Sequence, residues 1–224
     1  MAKRRHYGVV MGDLVKSSEA TDRRKLHARF NRGIDEANAR FAEELASPLT
    51  ITLGDEFQGL TKALEAAFAI GCVVRVSLLR DEISTRIVVG TATLETDLNP
   101  EKAWNMMGPG LAEAREKLSD KNDENCYRFS MPQDEALELL LDAVGRSLTK
   151  VEAEWTETQL EYVMAILSDP EQPRSRTAKA LGISENSLYK VLRSADYRFY
   201  SEQLETIRGA LRLHERTDSG SGRR

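Results

Sequence analysis

Apolar residues recur along this chain with two different periods, and the switches between them lay out the expected elements. Tyr7, Val9, Val10 and Met11 read as a buried strand ending at Gly12-Asp13. Leu26, Phe30, Ile34, Ala37, Phe41 and Leu45 follow at steps of three and four, one face of an amphipathic helix that Ser18 or Thr21 can cap. Within residues 50–60, Ile51, Leu53, Phe57 and Leu60 form two short runs around Gly54-Asp55, a dipeptide suited to closing a two-residue hairpin. Residues 61–80 return to the helical period, with Leu64, Ala67, Phe68, Cys72, Val76 and Leu79 on the inner face. Residues 85–94 are β-branched and read as a central strand. A third helical region is expected from Pro100, past Gly108-Pro109-Gly110, to Leu118, and a last strand over 126–130. The order predicts an α+β unit over residues 1–130, with helices on one face of a mainly antiparallel sheet.

From residue 131 the pattern is helical only. Leu137, Leu140, Leu141, Val144 and Leu148 make residues 131–154 a connecting helix that packs on the sheet unit or on a second subunit. Thr156 with Gln159 forms a capping box for the next helix. Residues 174–181 and 184–195 are two short helices flanking Gly182-Ile183-Ser184, with Leu188, Val191 and Leu192 inward, the features of a helix-turn-helix. A last helix follows, with Phe199, Leu204, Ile207 and Leu211 inward for dimerisation or support. The helical domain spans 155–216, and 217–224 is a polar tail expected to be disordered.

Composition narrows the choice of function. The chain has 224 residues, 41% hydrophobic and 30% charged, and a net charge of −4, so any contact with nucleic acid must come from a local patch. Cys72 and Cys126 lack metal or disulfide spacing and suit buried free thiols in a reducing cytoplasm. His6, His27 and His214 form no zinc pattern. The basic start Ala2-Lys3-Arg4-Arg5 precedes an apolar run that Gly12-Asp13 breaks, which argues against a signal peptide. The longest apolar run, residues 66–79, contains Arg75 and is too short to span a bilayer, so no membrane partner is expected.

Two places carry candidate chemistry. Asp13 ends the first strand, and Asp55 and Glu56 sit at the hairpin tip. If the hairpin lies beside the first strand these acids meet, and Mg²⁺ or Mn²⁺ would relieve their repulsion and hold a nucleoside triphosphate. Lys16, Ser17 and Ser18 could then grip phosphates at a helix start. The other reading is a solvated acidic turn. In the helix-turn-helix, Ser184 caps the second helix, and Glu185, Asn186, Ser187, Tyr189, Lys190 and Arg193 point outward, where Asn and Arg can read adenine and guanine edges in double-stranded DNA. Arg174, Arg176, Lys179, Lys190, Arg193 and Arg198 outnumber the nearby acids and offer the phosphate patch. The other reading there is a protein-contact bundle.

The first strand ending in Asp, then helix, then strand-Gly-Asp-x-Phe, resembles the palm of class III nucleotidyl cyclases and, more loosely, GGDEF domains. That implies a ferredoxin-like or cyclase-like palm in which Asp13 and Asp55 bind metal. Residues 12–18, Thr52-Leu53-Gly54-Asp55-Glu56-Phe57-Gln58-Gly59, and Gly108-Pro109-Gly110 with Ala114-Arg115 resemble the SatD family over nearly the whole chain. Against the cyclase pattern, Arg115 matches a nucleotide-binding arginine, but Leu111 stands where an asparagine is expected, which speaks against cyclisation. The helix pair resembles the fourth region of sigma factors. Two functions remain: a DNA-binding regulator, a homodimer on two half-sites, whose palm senses a nucleotide or dimerises; or a nucleotide-processing enzyme with an attached helix-turn-helix.

Overall fold

The computed structural model describes residues 6–221; the basic residues 2–5 lie outside them. Strands β1 (His6–Leu14), β2 (Leu45–Ile51), β3 (Glu56–Thr61), β4 (Thr85–Thr93) and β5 (Tyr127–Ser130) form one sheet in the order β2-β3-β1-β4-β5. β1 is thus central, between the hairpin and β4. The β4–β5 pair is parallel, so the sheet is mixed. Helices α1 (Arg23–Arg40) and α2 (Leu64–Arg80) cover one face, where Val10, Phe57, Ile87 and Phe129 are buried against Phe30 and Phe68. Helix α3 (Leu111–Ser119) lies on the other face, over Val9, Met11, Leu60 and Val88, so the helices do not all share one side.

Several expectations are corrected. Asp22, not Ser18 or Thr21, caps α1, its carboxylate accepting from the Lys25 amide at 2.9 Å. α1 stops at Arg40, and Leu45 already belongs to β2. The hairpin turn is wider than two residues: the Thr52 amide donates to Glu56 O, and Gly54 takes a left-handed φ of 81°. Residues 100–110 are not helical, because Gly110 (φ 92°) caps α3 so close to β4 that a Cβ would lie 1.9 Å from Thr91 O. Cys72 is buried as expected, but Cys126 is partly exposed.

Helix α4 (Glu135–Ala153) lies on β5 through Gly145, where any side chain would strike Tyr127 O. Helices α5 (Glu157–Ser168), α6 (Arg174–Ala180), α7 (Glu185–Ser194) and α8 (Tyr197–Ser221) continue the same apolar core that α2 and β5 share. In α8, Tyr200, Leu204, Ile207 and Leu211 are inward, whereas Phe199 is 38% exposed. That face of α8 is used within the chain. α8 runs on to Ser221, so much of the expected tail is helix, and residues 222–224 lie outside the described part.

One polar knot sits inside this core. Arg75 of α2 meets Glu152 of α4 at 2.5 Å and donates to Thr85 O of β4. Tyr127 of β5 and Tyr200 of α8 both donate to Glu152 Oε1. Burial, then the Glu152 carboxylate, pushes both phenols well above their ordinary pKa, so they remain donors. Burial lowers the Arg75 pKa, but the Glu152 carboxylate more than offsets this and leaves it raised.

Removing one partner of such a pair strands a buried charge. Glu152→Gln should therefore cost about 3–5 kcal/mol in urea unfolding. Glu202→Gln, which breaks an exposed pair with Arg198, should cost under about 1 kcal/mol. Equal, small losses in both would contradict a structural role for the knot.

Candidate functional site

Asp13 lies on the α3 side of the sheet, in line with Val9 and Met11, and is 2% exposed. Its register partners are Glu56 on β3 and Arg86 on β4. Arg86 Nε lies 3.2 Å from Asp13 Oδ1 without hydrogen-bond alignment, so that oxygen and Arg86 Nη1 have no hydrogen-bond partner among the described residues. Lys121, just beyond α3, donates to Asp13 Oδ2. Arg115 on α3 lies 3.8 Å from Glu56 and donates to Gln58 Oε1 at 2.8 Å. Two carboxylates thus share three cationic groups.

Asp55 has a different partner. Ser17 Oγ donates to its Oδ2 at 2.6 Å, and it lines a cavity of about 400 Å³ on the α1 side with Leu14, Leu26 and His27. The structure therefore gives Asp13 and Asp55 separate environments. Among the described residues no group of three or more His, Cys, Asp or Glu could hold a metal ion. The residues do not fit Mg²⁺ or Mn²⁺: a divalent cation beside Asp13 and Glu56 would meet Arg86, Lys121 and Arg115, and an ammonium already balances the buried charge.

The expected phosphate grip is not assembled either. Lys16 is exposed, in a left-handed conformation (φ 58°), and pairs with Glu19 at 3.9 Å. Ser17 is committed to Asp55, Ser18 O accepts from Arg23, and the first turn of α1 is closed by Asp22. Arg115 serves the opposite side of the sheet, beside a groove of about 470 Å³ lined by Met11, Gln58, Trp104 and Leu111. Arg86 and Lys121 were missed from sequence. A charged residue within Thr85-Arg86-Ile87-Val88-Val89 was a signal for the first, and nothing local marked the second.

Residues 174–194 hold two short helices, α6 and α7. α6 ends at Ala180, residues 181–184 turn the chain with Gly182 at φ 69°, and Ser184 Oγ accepts from the Ser187 amide at 3.1 Å to start α7. Leu188 and Leu192 are buried with Ala178, Val163 and Ile166. Trp155 Nε1 donates to Ala195 O at 2.8 Å, which pins the end of α7, and its ring meets Tyr200 edge-on at 4.7 Å. Glu185, Asn186, Ser187, Tyr189, Lys190 and Arg193 are exposed, as are Arg176 and Lys179; Arg174 is half-buried. None of these five cationic side chains has an ion-pair partner among the described residues. Arg198 is the exception in the expected patch, since it pairs with Glu202 at 3.0 Å.

Fold and surface together define a mixed-sheet α+β protein whose core extends into a set of helices ending in a basic face. The chain belongs to the SatD family, whose model matches residues 7–210. Among curated proteins no relative matches. Similar solved structures include a bacterial light-regulated adenylyl cyclase, with 12% identity, a TM-score of 0.43, and coverage of 57% of this chain and 44% of that one. The guanylyl cyclase domain of a RhoGC fusion protein from the aquatic fungus Blastocladiella emersonii has 20% identity and a TM-score of 0.41, covering 52% and 74%. The adenylyl cyclase CyaB from P. aeruginosa has 16% identity and a TM-score of 0.39, covering 52% and 72%. The chain spans under half the length of the first of these, and at such scores nothing about its chemistry follows from the likeness.

The charge arrangement gives a direct test. Millimolar Mg²⁺ or Mn²⁺ should leave the wild-type melting temperature unchanged, whereas Asp13→Asn, which leaves Arg86 without its counter-charge, should lower it without any added metal. A divalent-dependent rise in the wild type that Asp13→Asn or Asp55→Asn removes would restore the metal site.

Proposed function

We propose that the chain binds double-stranded DNA through a helix-turn-helix formed by α6 and α7. The carrying observation is the outer face of these helices, where Arg176, Lys179, Lys190 and Arg193 are exposed, with no ion-pair partner among the described residues, on a chain of net charge −4. Elsewhere some basic side chains find acids, as Arg32 meets Asp81, Arg115 meets Glu56, and Lys117 meets Glu138 and Asp142, while others such as Arg24, Lys25 and Arg146 have no ion-pair partner among the described residues. Unpaired cations gathered on one helix pair fit a polyanionic partner, since each phosphate neutralised releases counterions.

The geometry supports the same reading. α7 has 10 residues, so it is about 15 Å long and suits a major groove about 12 Å wide. Its exposed first turn carries Asn186 and Ser187, the end that such a helix presents to bases. Asn186 can bond adenine, Lys190 and Arg193 can bond guanine or phosphate, and Glu185 can accept from cytosine. Arg174, Arg176 and Lys179 on α6 can hold phosphates, and Tyr189, 48% exposed, can pack on sugar. A helix buttressed on α5, α8 and Trp155 loses little freedom on docking.

Anisotropy titrations with duplex genomic fragments provide the check. Affinity should fall steeply with salt, and Lys190→Ala/Arg193→Ala should weaken binding by at least about tenfold. The salt slope should drop by about one for each phosphate that the variant no longer neutralises. No affinity at low salt, or equal affinity in the double variant, would leave the pair as a protein-contact bundle.

A further inference from the structure

We propose that α4 is a self-pairing surface: two copies of the chain dock their α4 helices antiparallel about a two-fold axis. The inference goes beyond DNA binding and does not rest on it. α4 buries Leu141, Gly145, Leu148 and Glu152 against the sheet and α8. Its outer side carries Leu139 and Leu140, 70% and 65% exposed, with exposed Ala136 and Ala143 beside them. These residues recur at steps of three and four, so they form one continuous stripe rather than scattered surface leucines.

The occupant is argued from how the stripe matches itself. Large Leu139 and small Ala143 lie one turn apart, in the N-terminal half of the helix. Turning a second α4 end for end sets each Leu139 over the partner copy's alanine and brings the two Leu140 side chains together. That is the self-complementarity an isologous interface requires. The charges obey the same symmetry. Glu135 lies at the N-terminal end and Arg146 three turns later, on the same flank of the stripe, and both are exposed with no ion-pair partner among the described residues. A two-fold rotation that reverses a helix keeps its flank on the same side, so each Glu135 meets Arg146 of the other copy. A parallel pairing would carry the two flanks to opposite sides of the interface, so Glu135 and Arg146 would not meet. Lys150, exposed beyond Arg146, adds to the positive end. The ladder therefore favours a second copy, antiparallel, over an unrelated apolar partner.

Sedimentation equilibrium of the full chain without DNA, across a dilution series, is the test. The wild type should dimerise, and Leu140→Glu should shift it to monomer while its circular dichroism stays unchanged. Glu135→Arg and Arg146→Glu should each raise the dimer Kd about fivefold or more, since two symmetry-related pairs become repulsive. The double reversal should return the Kd close to wild type. That recovery separates interface charge from any effect on α4 itself, because Glu135→Arg disfavours the helix N-terminus in either background. A wild type that stays monomeric, a dimer indifferent to Leu140→Glu, or a double reversal no better than the singles would overturn the proposal.

Discussion

The buried carboxylate of Glu152 is the interaction on which the rest of this structure depends. It sits where α2, β5, α4 and α8 converge, and a guanidinium and two phenols all turn toward it. A carboxylate taken out of water needs this many partners, because burial without them costs more than the fold can supply. The geometry that satisfies it is also restrictive. Arg75 reaches back to Thr85 O at the start of β4, and Tyr200 arrives from the helix that supports α7. A sheet packed on helices can tolerate small slips, whereas this knot admits one arrangement of four elements. It therefore sets the pose of the C-terminal helices against the sheet, and with it the basic face of α6 and α7.

A second buried acid shows why position in the chain does not define chemistry. Asp13 ends a central strand opposite another acid, the arrangement that suggested a cation site. The protein answers that charge with its own cations, Arg86 from the neighbouring strand and Lys121 from beyond α3. The Asp13–Glu56 cluster is therefore a seam in the sheet whose carboxylates are met by the protein's own cations. Meanwhile the cations of the helix pair meet no acid among the described residues, which is what supports the proposed contact with a polyanion.

The features legible in the sequence were those in which one local rule decides the outcome. Residues 85–94 are rich in β-branched side chains, and β4 covers Thr85–Thr93; Thr156 with Gln159 closed the capping box; Ser184 began α7. The misread features were set by contacts distant in sequence. Leu45 continues the period of α1, yet it pairs with Thr61 across the hairpin. Residues 100–110 carry polar and apolar residues at helical spacing, but Gly110 is pressed against β4 and Ala103 bonds Pro48 O, which holds the segment open. The placing of α3 on the second face was hidden because Ala114 and Leu118 look alike for either side. Of the candidate site residues, the outward set on α7 was readable because helix periodicity sorts Leu188 and Leu192 from the rest, although Val191, expected inward with them, is only half-buried. The partners of Asp13 were not, since Lys121 lies far along the chain and comes near only once α3 has packed.

The central claim is that the outer face of α6 and α7, and not the sheet, meets DNA. Amide hydrogen exchange of the full chain, with and without saturating duplex DNA, tests it most directly, because it reads every segment in one experiment. The account predicts added protection confined to residues 174–193, with no change around Asp13, Asp55 and the groove beside Arg115. Protection appearing at that groove or at the hairpin tip, with α6 and α7 unchanged, would contradict it.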